Sequence, residues 1–247
     1  MSWYMQRQIA LITGATSGIG AAFARNFASK NYDLIITGRR VNKIKALAQE
    51  LQAKYNINVE VIIIELTNAC DLALLIQKVK EQKNLSVLVN NAGFGSRNNF
   101  NASDITVWGN MLKVHAEAVM QLTHAALPNM LAKNSGTIIN VSSILAFFPY
   151  RKHAMYTATK AFINLFTKTI AKELKNTGIR VQALCPGLTA TDFHMQMGVS
   201  HGFIKPMQPD VVVAKSLKHL KKNKTVCIPG FLNKLIVMLA VLIRFKD

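Results

Sequence analysis

Apolar residues along this chain follow two alternating patterns. Short runs rich in β-branched residues, such as Ile9–Thr13 and Val59–Ile64, predict strands that are buried on both faces. Between these runs, apolar residues recur every three or four positions and predict amphipathic helices. The predicted strands are Ile9–Thr13, Leu34–Thr37, Val59–Ile64, Val87–Val89, Thr137–Val141, Arg180–Leu184 and Thr225–Ile228. The predicted helices are Ile19–Lys30, Val41–Tyr55, a segment marked by Leu72, Leu75, Ile76 and Val79, Asp104–Lys133, Met155–Asn176 and Pro209–Lys222.

Strands that alternate with helices in this way predict an α/β fold, a doubly wound parallel sheet of about seven strands with helices on both faces. No linker, repeat or change of composition divides the chain. Residues 1–247 are therefore predicted to form one domain, with residues 229–247 as an apolar C-terminal tail. In such sheets ligands bind beyond the carboxyl ends of the strands, where each motif described below is found.

The chain is strongly basic, with 30 Lys and Arg against 12 Asp and Glu and a net charge of +18. A field of this sign attracts polyanions, acidic membrane surfaces and anionic ligands. The basic residues are spread over helix faces, however, and no nucleic-acid-binding motif accompanies the densest cluster. A solvated basic surface is favoured, and no nucleic-acid partner is expected. The cluster consists of Lys215, Lys218, Lys221, Lys222 and Lys224.

The cysteine content and the N-terminal segment bear on the compartment. Cys70, Cys185 and Cys227 lie far apart and without metal-ligand spacing. This sparse, odd number argues against a disulfide framework or a metal site and fits a reducing cytosol. The first residues lack a signal-peptide layout, because the apolar run after Arg7 is short. A cytoplasmic protein is expected.

The segment Thr13–Gly20, TGATSGIG, follows the first predicted strand and opens the first predicted helix. Its glycines allow a tight turn and a close approach of the backbone to a pyrophosphate, whose charge the helix N-terminus favours. The spacing is Gly-x3-Gly-x-Gly and differs from the usual Gly-x-Gly-x2-Gly. In this strand–loop–helix context the segment predicts nucleotide binding.

Two further motifs follow predicted strands. TGRR places Arg39 and Arg40 where NAD-binding proteins carry an acidic residue for the ribose 2′-hydroxyl. Positive charge there suits a 2′-phosphate, so NADP (NADPH) is predicted in preference to NAD, with two solvated arginines as the alternative. NNAG, at Asn90–Gly93, combines small residues and amides that let a ligand approach the backbone, and it also fits a simple turn.

Tyr156 and Lys160 stand four positions apart in YTATK, at the start of a predicted helix. Positions i and i+4 share one helix face, so the phenol and the ammonium can meet. A free phenol has a pKa of about 10, and a nearby ammonium favours its ionised form. The alternative is an amphipathic helix with a snorkelling lysine. Ser143 directly follows a predicted buried strand and precedes Tyr156 by 13 positions.

Together, TGATSGIG, NNAG, the Ser143, Tyr156 and Lys160 triplet and the Pro186–Gly187 pair resemble the short-chain dehydrogenase/reductase family, classical type. The resemblance runs from about residue 8 to residue 228. It implies a Rossmann-like fold, a nicotinamide cofactor and, commonly, dimers or tetramers. It further implies that Tyr156 is the general acid/base and that Ser143 holds the substrate oxygen. Lys160 is implied to bind the nicotinamide ribose and to lower the pKa of Tyr156.

By the same resemblance, one set of residues is expected to line the cofactor. Arg39, between Gly38 and Arg40, is expected to meet the 2′-phosphate. The other expected cofactor residues are Thr13, Gly14, Ser17, Gly18, Ile19, Gly20, Glu65, Leu66, Asn91, Ala92, Gly93, Tyr156, Lys160, Pro186, Gly187, Thr189 and Thr191.

The sequence departs from the family pattern at two places. Glu65 and Leu66 stand where an Asp near the adenine is usual, and the longer side chain can still serve. His115 stands where the family carries a catalytic Asn, which supports a helix kink and a water relay to the lysine. We predict that His115 tunes proton exchange rather than hydride transfer. A buried histidine with satisfied nitrogens is the alternative.

The substrate wall is predicted to come from Ile144–Tyr150 and Phe193–Met197, with Phe203 beyond. Their aromatic and methionine side chains favour a hydrophobic carbonyl compound or alcohol, and they also fit a core or an oligomer interface. The apolar run Leu235–Ile243 is too short for a bilayer span, which needs about 20 residues. It fits a subunit interface, which we favour slightly, or peripheral contact with a membrane surface.

The sequence thus predicts an NADP-dependent short-chain oxidoreductase that interconverts a hydrophobic carbonyl compound and its secondary alcohol. A cytoplasmic homodimer or homotetramer is expected. One alternative is a membrane-surface lipid or acyl reductase, which the C-terminal tail and the charge favour. The other is a nucleotide-binding regulatory protein with little turnover, which only His115 favours.

Overall fold

A computed structural model describes residues 7–191 and 205–244, with side chains up to residue 242. The strands in these ranges are β1 (Ile9–Ile12), β2 (Asp33–Gly38), β3 (Val59–Ile63), β4 (Leu85–Asn90), β5 (Gly136–Val141), β6 (Ile179–Leu184) and β7 (Val226–Cys227). They form one parallel sheet in the order β3-β2-β1-β4-β5-β6-β7.

The helices of the described ranges cover both faces of this sheet. They are α1 (Gly18–Ala28), α2 (Val41–Tyr55), α3 (Ala69–Glu81), α4 (Ile105–Leu112), α5 (Ala118–Ala132), α6 (Ala154–Glu173), α7 (Pro209–Lys221) and α8 (Phe231–Arg244). Residues of α1, α2 and α7 belong to the core on one face, and residues of α3, α5 and α6 pack into the core on the other. The predicted doubly wound, Rossmann-like sheet is confirmed.

Each core is filled by large side chains from its own helices. Phe23 of α1 and Leu51 of α2 are fully buried on one face, as are Leu75 of α3 and Leu122 of α5 on the other. Because both faces of the sheet are covered, its central strands can be apolar throughout. This explains why they appear in the sequence as apolar runs rather than as alternating patterns.

The direction of winding reverses between β1 and β4. The chain runs outward from β1 to β3 and then returns to the other side of β1 to form β4. Such a reversal leaves a crevice beyond the carboxyl ends of the two strands. The Asn91 side-chain amide spans this crevice by donating to the carbonyls of Thr13 at 2.9 Å and Gly14 at 3.0 Å.

The predicted continuous helix Asp104–Lys133 is wrong in one respect. A π-helical turn, Lys113–Glu117, separates α4 from α5, and His115 lies in this turn. A π-helical turn inserts an extra residue into a helix and is frequent at functional sites. The apolar spacing continues on both sides of the insertion, so periodicity alone did not reveal it.

The apolar tail forms α8, which packs back onto the domain. Val237 is buried, and the Asn233 side chain donates to the Pro229 carbonyl at 2.6 Å. Among the described helices, none is long and apolar enough to cross a membrane. The predicted substrate segment Phe193–Met197, with Phe203, lies outside the described residues.

Candidate active site

A cavity of about 690 Å³ opens beyond the carboxyl ends of the central strands. Three predicted site residues, Thr13, Gly20 and His115, lie behind its wall rather than on it. The other predicted site residues line it: Gly14, Ser17, Gly18, Ile19, Gly38, Arg39, Arg40, Glu65, Leu66, Asn91, Ala92, Gly93, Ser143, Tyr156, Lys160, Pro186, Gly187, Thr189 and Thr191. The fold thus brings the separate motifs to one crevice.

The glycine loop, Thr13–Gly20, adopts a conformation that requires glycine at two positions. Gly14 and Gly18 have φ angles of 66° and 56°, which residues with side chains rarely adopt. A Cβ on Gly14 would also lie 2.8 Å from the Cα of Ala92. Ser17 is the N-cap of α1, and the first turn of this helix contains no acidic residue. The start of α1 at the cavity wall therefore favours a bound anion such as a pyrophosphate.

Thr13 and Gly20 support the glycine loop from behind. The Thr13 hydroxyl oxygen accepts hydrogen bonds from the backbone N–H groups of Asn91 and Ala92, both at 3.0 Å. A Cβ on Gly20 would collide with the Gly14 carbonyl oxygen. Both residues therefore shape the loop without forming the cavity surface.

Two arginines line the cavity near the glycine loop. Arg40 Nη2 donates to the hydroxyls of Thr16 at 2.7 Å and Ser17 at 2.5 Å. Arg39 Nη1 pairs with Glu65 Oε2 at 2.9 Å, and the Arg39 side chain is 66% exposed. An ion pair this exposed contributes little to stability. Arg39 can therefore exchange Glu65 for an anionic ligand at a small cost.

The predicted catalytic triplet meets at the other end of the cavity. Ser143 follows β5, and its Oγ accepts a hydrogen bond from the Leu145 N–H at 3.1 Å. A further hydrogen bond joins the side chains of Ser143 and Tyr156. Tyr156 and Lys160 lie one turn apart on α6, with the Lys160 Nζ atom 5.7 Å from the Tyr156 ring centroid. The phenol and the ammonium thus share one helix face, as the sequence predicts.

Burial dominates the protonation of this triplet. It raises the pKa of Tyr156 to about 12, against which the hydrogen bond with Ser143 acts. Burial also lowers the pKa of Lys160 to about 8, and the Lys160 Nζ donates to the Val141 carbonyl at 2.9 Å. Desolvation of the phenolate is the largest cause of this raised Tyr156 pKa. At neutral pH Tyr156 carries its proton.

His115 lies between the loop after β4 and α6 and is only 1% exposed. Its Nε2 accepts a hydrogen bond from the Phe94 backbone N–H at 3.1 Å, and its Nδ1 lies 3.0 Å from the Thr159 hydroxyl oxygen. Burial holds the His115 pKa well below its usual value, and the charge of Lys160 lowers it further, against the hydrogen bond from Phe94. The ring is therefore neutral at neutral pH, and each ring nitrogen has a partner.

The loop after β6 closes the cavity on the side of Pro186 and Gly187. Thr189 Oγ1 donates to the Gly187 carbonyl at 3.0 Å. The Thr191 methyl fills the space beside Gly18, where an added Cβ would lie 2.6 Å from it. Asn233 of α8 occupies the corresponding space at Gly187. This loop is thereby held between the glycine loop and α8.

The cavity wall around Ser143 and Tyr156 is largely apolar. Of the predicted segment Ile144–Tyr150, the residues Ile144, Leu145, Phe148 and Tyr150 line the cavity. Several further lining residues were not predicted from the sequence, among them Phe94, Arg97, His153, Leu188 and Ile236. Phe94 and Arg97 closely follow NNAG, and His153 closely precedes Tyr156, so proximity to motifs was an available signal. No motif is near Ile236, which α8 brings to the wall.

The residues present fit a nicotinamide dinucleotide. Ligand sites of about 300–1,000 Å³ are usual for molecules of this kind, and this cavity falls in that range. At one end the glycine loop, Arg39 and Arg40 offer backbone N–H groups and cations to phosphates. At the other end Tyr156 and Ser143 can hold and protonate an oxygen atom.

Known proteins share this sequence pattern and fold. Residues 8–200 match the short chain dehydrogenase family. The chain is 34% identical over 188 residues to sulfoacetaldehyde reductase 2 from Chromohalobacter salexigens, covering 75% of this chain and 74% of that protein. A short-chain dehydrogenase from Sphingobium yanoikuyae, solved in complex with NADPH, superposes with a TM-score of 0.88 at 28% identity, covering 97% of this chain and 94% of the other. The bulky-bulky ketone specific alcohol dehydrogenase from Comamonas testosteroni superposes with a TM-score of 0.83 at 28% identity. The superposition covers 96% of this chain and 94% of the other.

Proposed function

The chain belongs to the short-chain dehydrogenase family of oxidoreductases, and we propose that it reduces a hydrophobic carbonyl compound to its secondary alcohol with NADPH. One observation carries this proposal. The hydrogen-bonded pair Ser143 and Tyr156 lines one end of the cavity, while Arg39 and Arg40 line the other. A proton donor for the substrate oxygen and cations for a 2′-phosphate thus share one cleft.

In the proposed reaction Tyr156 is the general acid. Its pKa of about 12 keeps the phenol protonated at neutral pH, ready to give its proton to the carbonyl oxygen. Ser143 donates its hydroxyl proton to the same oxygen before the transfer, and afterwards this hydroxyl can donate instead to the Tyr156 phenolate, with which it shares a hydrogen bond in the structure. NADPH supplies the hydride when bound. Lys160, fixed by the Val141 carbonyl beside the Tyr156 ring, holds the nicotinamide ribose.

The preference for NADP over NAD is proposed from the two arginines. A guanidinium group pairs with phosphate through two parallel N–H donors, which a ribose hydroxyl cannot match. Arg39 and Arg40 both lie at the carboxyl end of β2, where an NAD-specific protein would carry an acidic side chain. The NADPH complex of the Sphingobium relative supports this preference.

A hydrophobic substrate is proposed from the apolar wall formed by Phe94, Leu145, Phe148 and Ile236. The Comamonas relative, described as specific for bulky-bulky ketones, supports a substrate of this size. The Chromohalobacter relative, named for a charged aldehyde, points the other way. Arg97 on the same wall would favour such an anionic group. The test must therefore include both kinds of carbonyl compound.

The decisive experiment follows NADPH oxidation against ketones, aldehydes, diketones, acyl thioesters, steroids and anionic aldehydes, with Tyr156→Phe alongside. We expect turnover of an apolar ketone that disappears in Tyr156→Phe, while NADPH binding persists. Unchanged turnover in Tyr156→Phe would refute the proposed general acid. Tight NADPH binding without turnover on any substrate would favour the regulatory alternative.

The same proposal includes a cytoplasmic homodimer or homotetramer. Exposed apolar side chains on α4 and α6 support a subunit interface: Ile105 is 71% exposed and Leu165 is 68% exposed. Free thiols at Cys70, Cys185 and Cys227 support a reducing compartment. Light scattering after gel filtration would measure the mass, and a monomer at micromolar concentration would contradict the oligomer.

A second candidate function, reduction of a lipid-borne carbonyl at a membrane surface, is favoured by α8. Phe231 is 82% exposed and Leu242 is 59% exposed, while Ile236 of the same helix lines the cavity. Besides burial, the charges of Lys234, Lys224 and Lys222 lower the pKa of His219, so all three lysines act on this one residue. Apolar residues beside a cluster of lysines suit an interface with anionic lipid.

Co-sedimentation with phosphatidylglycerol and phosphatidylcholine vesicles tests this second function. Binding to anionic vesicles only, lost in the double variant Met238→Glu, Leu242→Glu, would support it. Leu74→Glu on α3, where the side chain is 66% exposed, is the matched control and should leave binding intact. Absence of binding by the unmodified protein would end the membrane hypothesis.

A further inference from the structure

We propose that His115 is a positioning residue that ties the cofactor-side loop after β4 to the catalytic helix α6, with Thr159 as its partner. This inference deepens the proposed reductase function and rests on it for the roles of Tyr156 and the cofactor. It assigns His115 no direct part in proton transfer. A path of hydrogen bonds joins the loop to the helix, and the geometry fixes its direction.

The path begins at the Phe94 backbone. Its N–H donates to His115 Nε2 at 3.1 Å, so this nitrogen carries no proton. In a neutral imidazole the proton must then be on Nδ1, which donates to the Thr159 hydroxyl oxygen at 3.0 Å. The Thr159 hydroxyl in turn donates to the Tyr156 backbone carbonyl at 3.1 Å. Each donor meets one acceptor, and the path ends on the catalytic residue.

The surroundings of His115 allow no substitute for these bonds. His115 and Thr159 are each only 1% exposed, so water cannot replace a lost partner. A Cβ on Gly93 would lie 2.9 Å from His115 Nε2, so the loop backbone packs directly against the ring. The π-helical turn Lys113–Glu117 carries His115 at this point, between the loop and α6.

The path joins two sides of the cavity. Gly93 and Phe94 line it on the side of β4, and Tyr156 lines it on the side of α6. Through one imidazole, the loop that flanks the cofactor is held at a fixed distance from the phenol. The charged or titratable groups facing the ring are Lys160 and Tyr156 of α6. A protonated ring would direct an N–H at the Phe94 N–H and break the path at its first bond.

Variants of His115 and Thr159 can remove one bond at a time. The substitution His115→Gln places a polar atom near the former Nε2, whereas His115→Asn places one near the former Nδ1. Thr159→Val removes the hydroxyl but keeps the shape of the side chain, whereas Thr159→Ser keeps the hydroxyl. Thr157→Val is the matched control, because the Thr157 hydroxyl donates only to carbonyls of its own helix turn, at 3.0 Å.

We expect the loop bond to govern NADPH affinity and the helix bond to govern kcat. His115→Asn should weaken NADPH binding roughly tenfold, the size expected for one buried hydrogen bond. His115→Gln and Thr159→Val should instead lower kcat with little change in NADPH affinity. Thr159→Ser should recover the lost rate, and Thr157→Val should behave as the unmodified protein.

A second readout needs no turnover. Nitrogen NMR of selectively labelled histidine should show His115 as the neutral tautomer protonated on Nδ1 at neutral pH. A proton on Nε2, or a charged ring, would overturn the proposal. So would His115→Phe, if it folds and keeps both NADPH affinity and kcat. Neither NADPH affinity nor the tautomer of His115 depends on a substrate. Both therefore test the positioning role of His115 even if the protein turns over no substrate and the proposed function is refuted.

Discussion

The two ends of the cavity are built in different ways. The cofactor end consists of short contiguous motifs that directly follow β1, β2 and β4, and hydrogen bonds between Asn91, Thr13 and Gly14 hold two of them together. The substrate end takes side chains from remote segments, such as Phe148 after β5 and Ile236 on α8. Cofactor binding is therefore encoded locally, whereas substrate choice depends on how distant segments pack.

The two ends also differ in polarity. Backbone N–H groups and two guanidinium groups suit the phosphates of a dinucleotide at one end. Apolar side chains and Arg97 form the other. Ser143, Tyr156 and Lys160 lie at the junction. Variants should therefore separate into those that change catalysis, those that change cofactor affinity and those that change substrate preference.

Among variants that keep Tyr156, the largest effect is expected from Ser143→Ala at the junction. It removes the hydrogen bond that stabilises the Tyr156 phenolate and the donor that holds the substrate oxygen. A loss of roughly 100-fold or more in kcat follows from the usual weight of such a donor. NADPH affinity should stay unchanged. Steady-state kinetics measures kcat, and fluorescence titration measures NADPH affinity. Equal losses in kcat and in NADPH affinity would show that the two ends of the cavity are not separable.

The next largest effect is expected from the arginines of the cofactor end. Arg40→Ala should weaken NADPH binding by roughly tenfold to 100-fold, the range for a charge-assisted hydrogen bond, while NADH binding stays the same. Arg39→Ala should also weaken NADPH binding, because its exposed ion pair with Glu65 can be exchanged for the 2′-phosphate at a small cost. Arg25→Ala, which breaks an ion pair with Glu50 elsewhere on the surface, is the control. A parallel loss of NADH affinity would contradict recognition of the 2′-phosphate.

A pH-dependent effect is expected between the two ends, at His115. The unfolded chain takes up a proton on this residue as the pH falls through about 6.5, whereas the folded chain resists it because the His115 pKa is held well below that value. The unfolded state then binds more protons, so the free energy of unfolding decreases as the pH is lowered, by at most about 1.4 kcal/mol per pH unit. Denaturant unfolding between pH 6.5 and the depressed pKa should show this slope.

The matched variant for this pH effect is His115→Gln, which has no imidazole to protonate. Its unfolding free energy should fall less steeply over the same range. The pKa of Glu50 and that of Asp104 are also lowered, but both variants share these groups. Identical slopes would mean that His115 is protonated as easily in the folded chain as in the unfolded one.

The smallest effect is expected at the substrate end, from Ile236→Val. Removing one methylene from this apolar surface should lower kcat/KM for a bulky ketone roughly fourfold, given about 0.8 kcal/mol for each buried methylene lost. NADPH affinity should not change. Met238→Ala on the same helix, where the side chain is 53% exposed, is the control. An equal loss in both variants would point to a destabilised α8 rather than to a substrate contact.

Local sequence predicted the elements and motifs that depend on neighbouring residues. The alternation of apolar runs and amphipathic segments predicted the doubly wound sheet, because burial on both faces imposes that pattern on the strands. The glycine loop could be identified because Gly14 and Gly18 meet a backbone requirement that few other residues satisfy. The shared face of Tyr156 and Lys160 followed from helix geometry alone.

Tertiary structure decided what depends on contacts between distant segments. The π-helical turn at Lys113–Glu117 and the place of His115 between Phe94 and Thr159 are set by packing against α6 and the loop after β4. The raised pKa of Tyr156 is likewise a consequence of burial, which no motif records. The approach of Ile236 to the cavity depends on how α8 folds back over Gly187. Local backbone geometry and apolar periodicity encode the fold and the cofactor motifs, so both could be predicted from the sequence. The protonation of Tyr156 and His115 and the substrate wall could not, because they depend on remote segments that exclude water together.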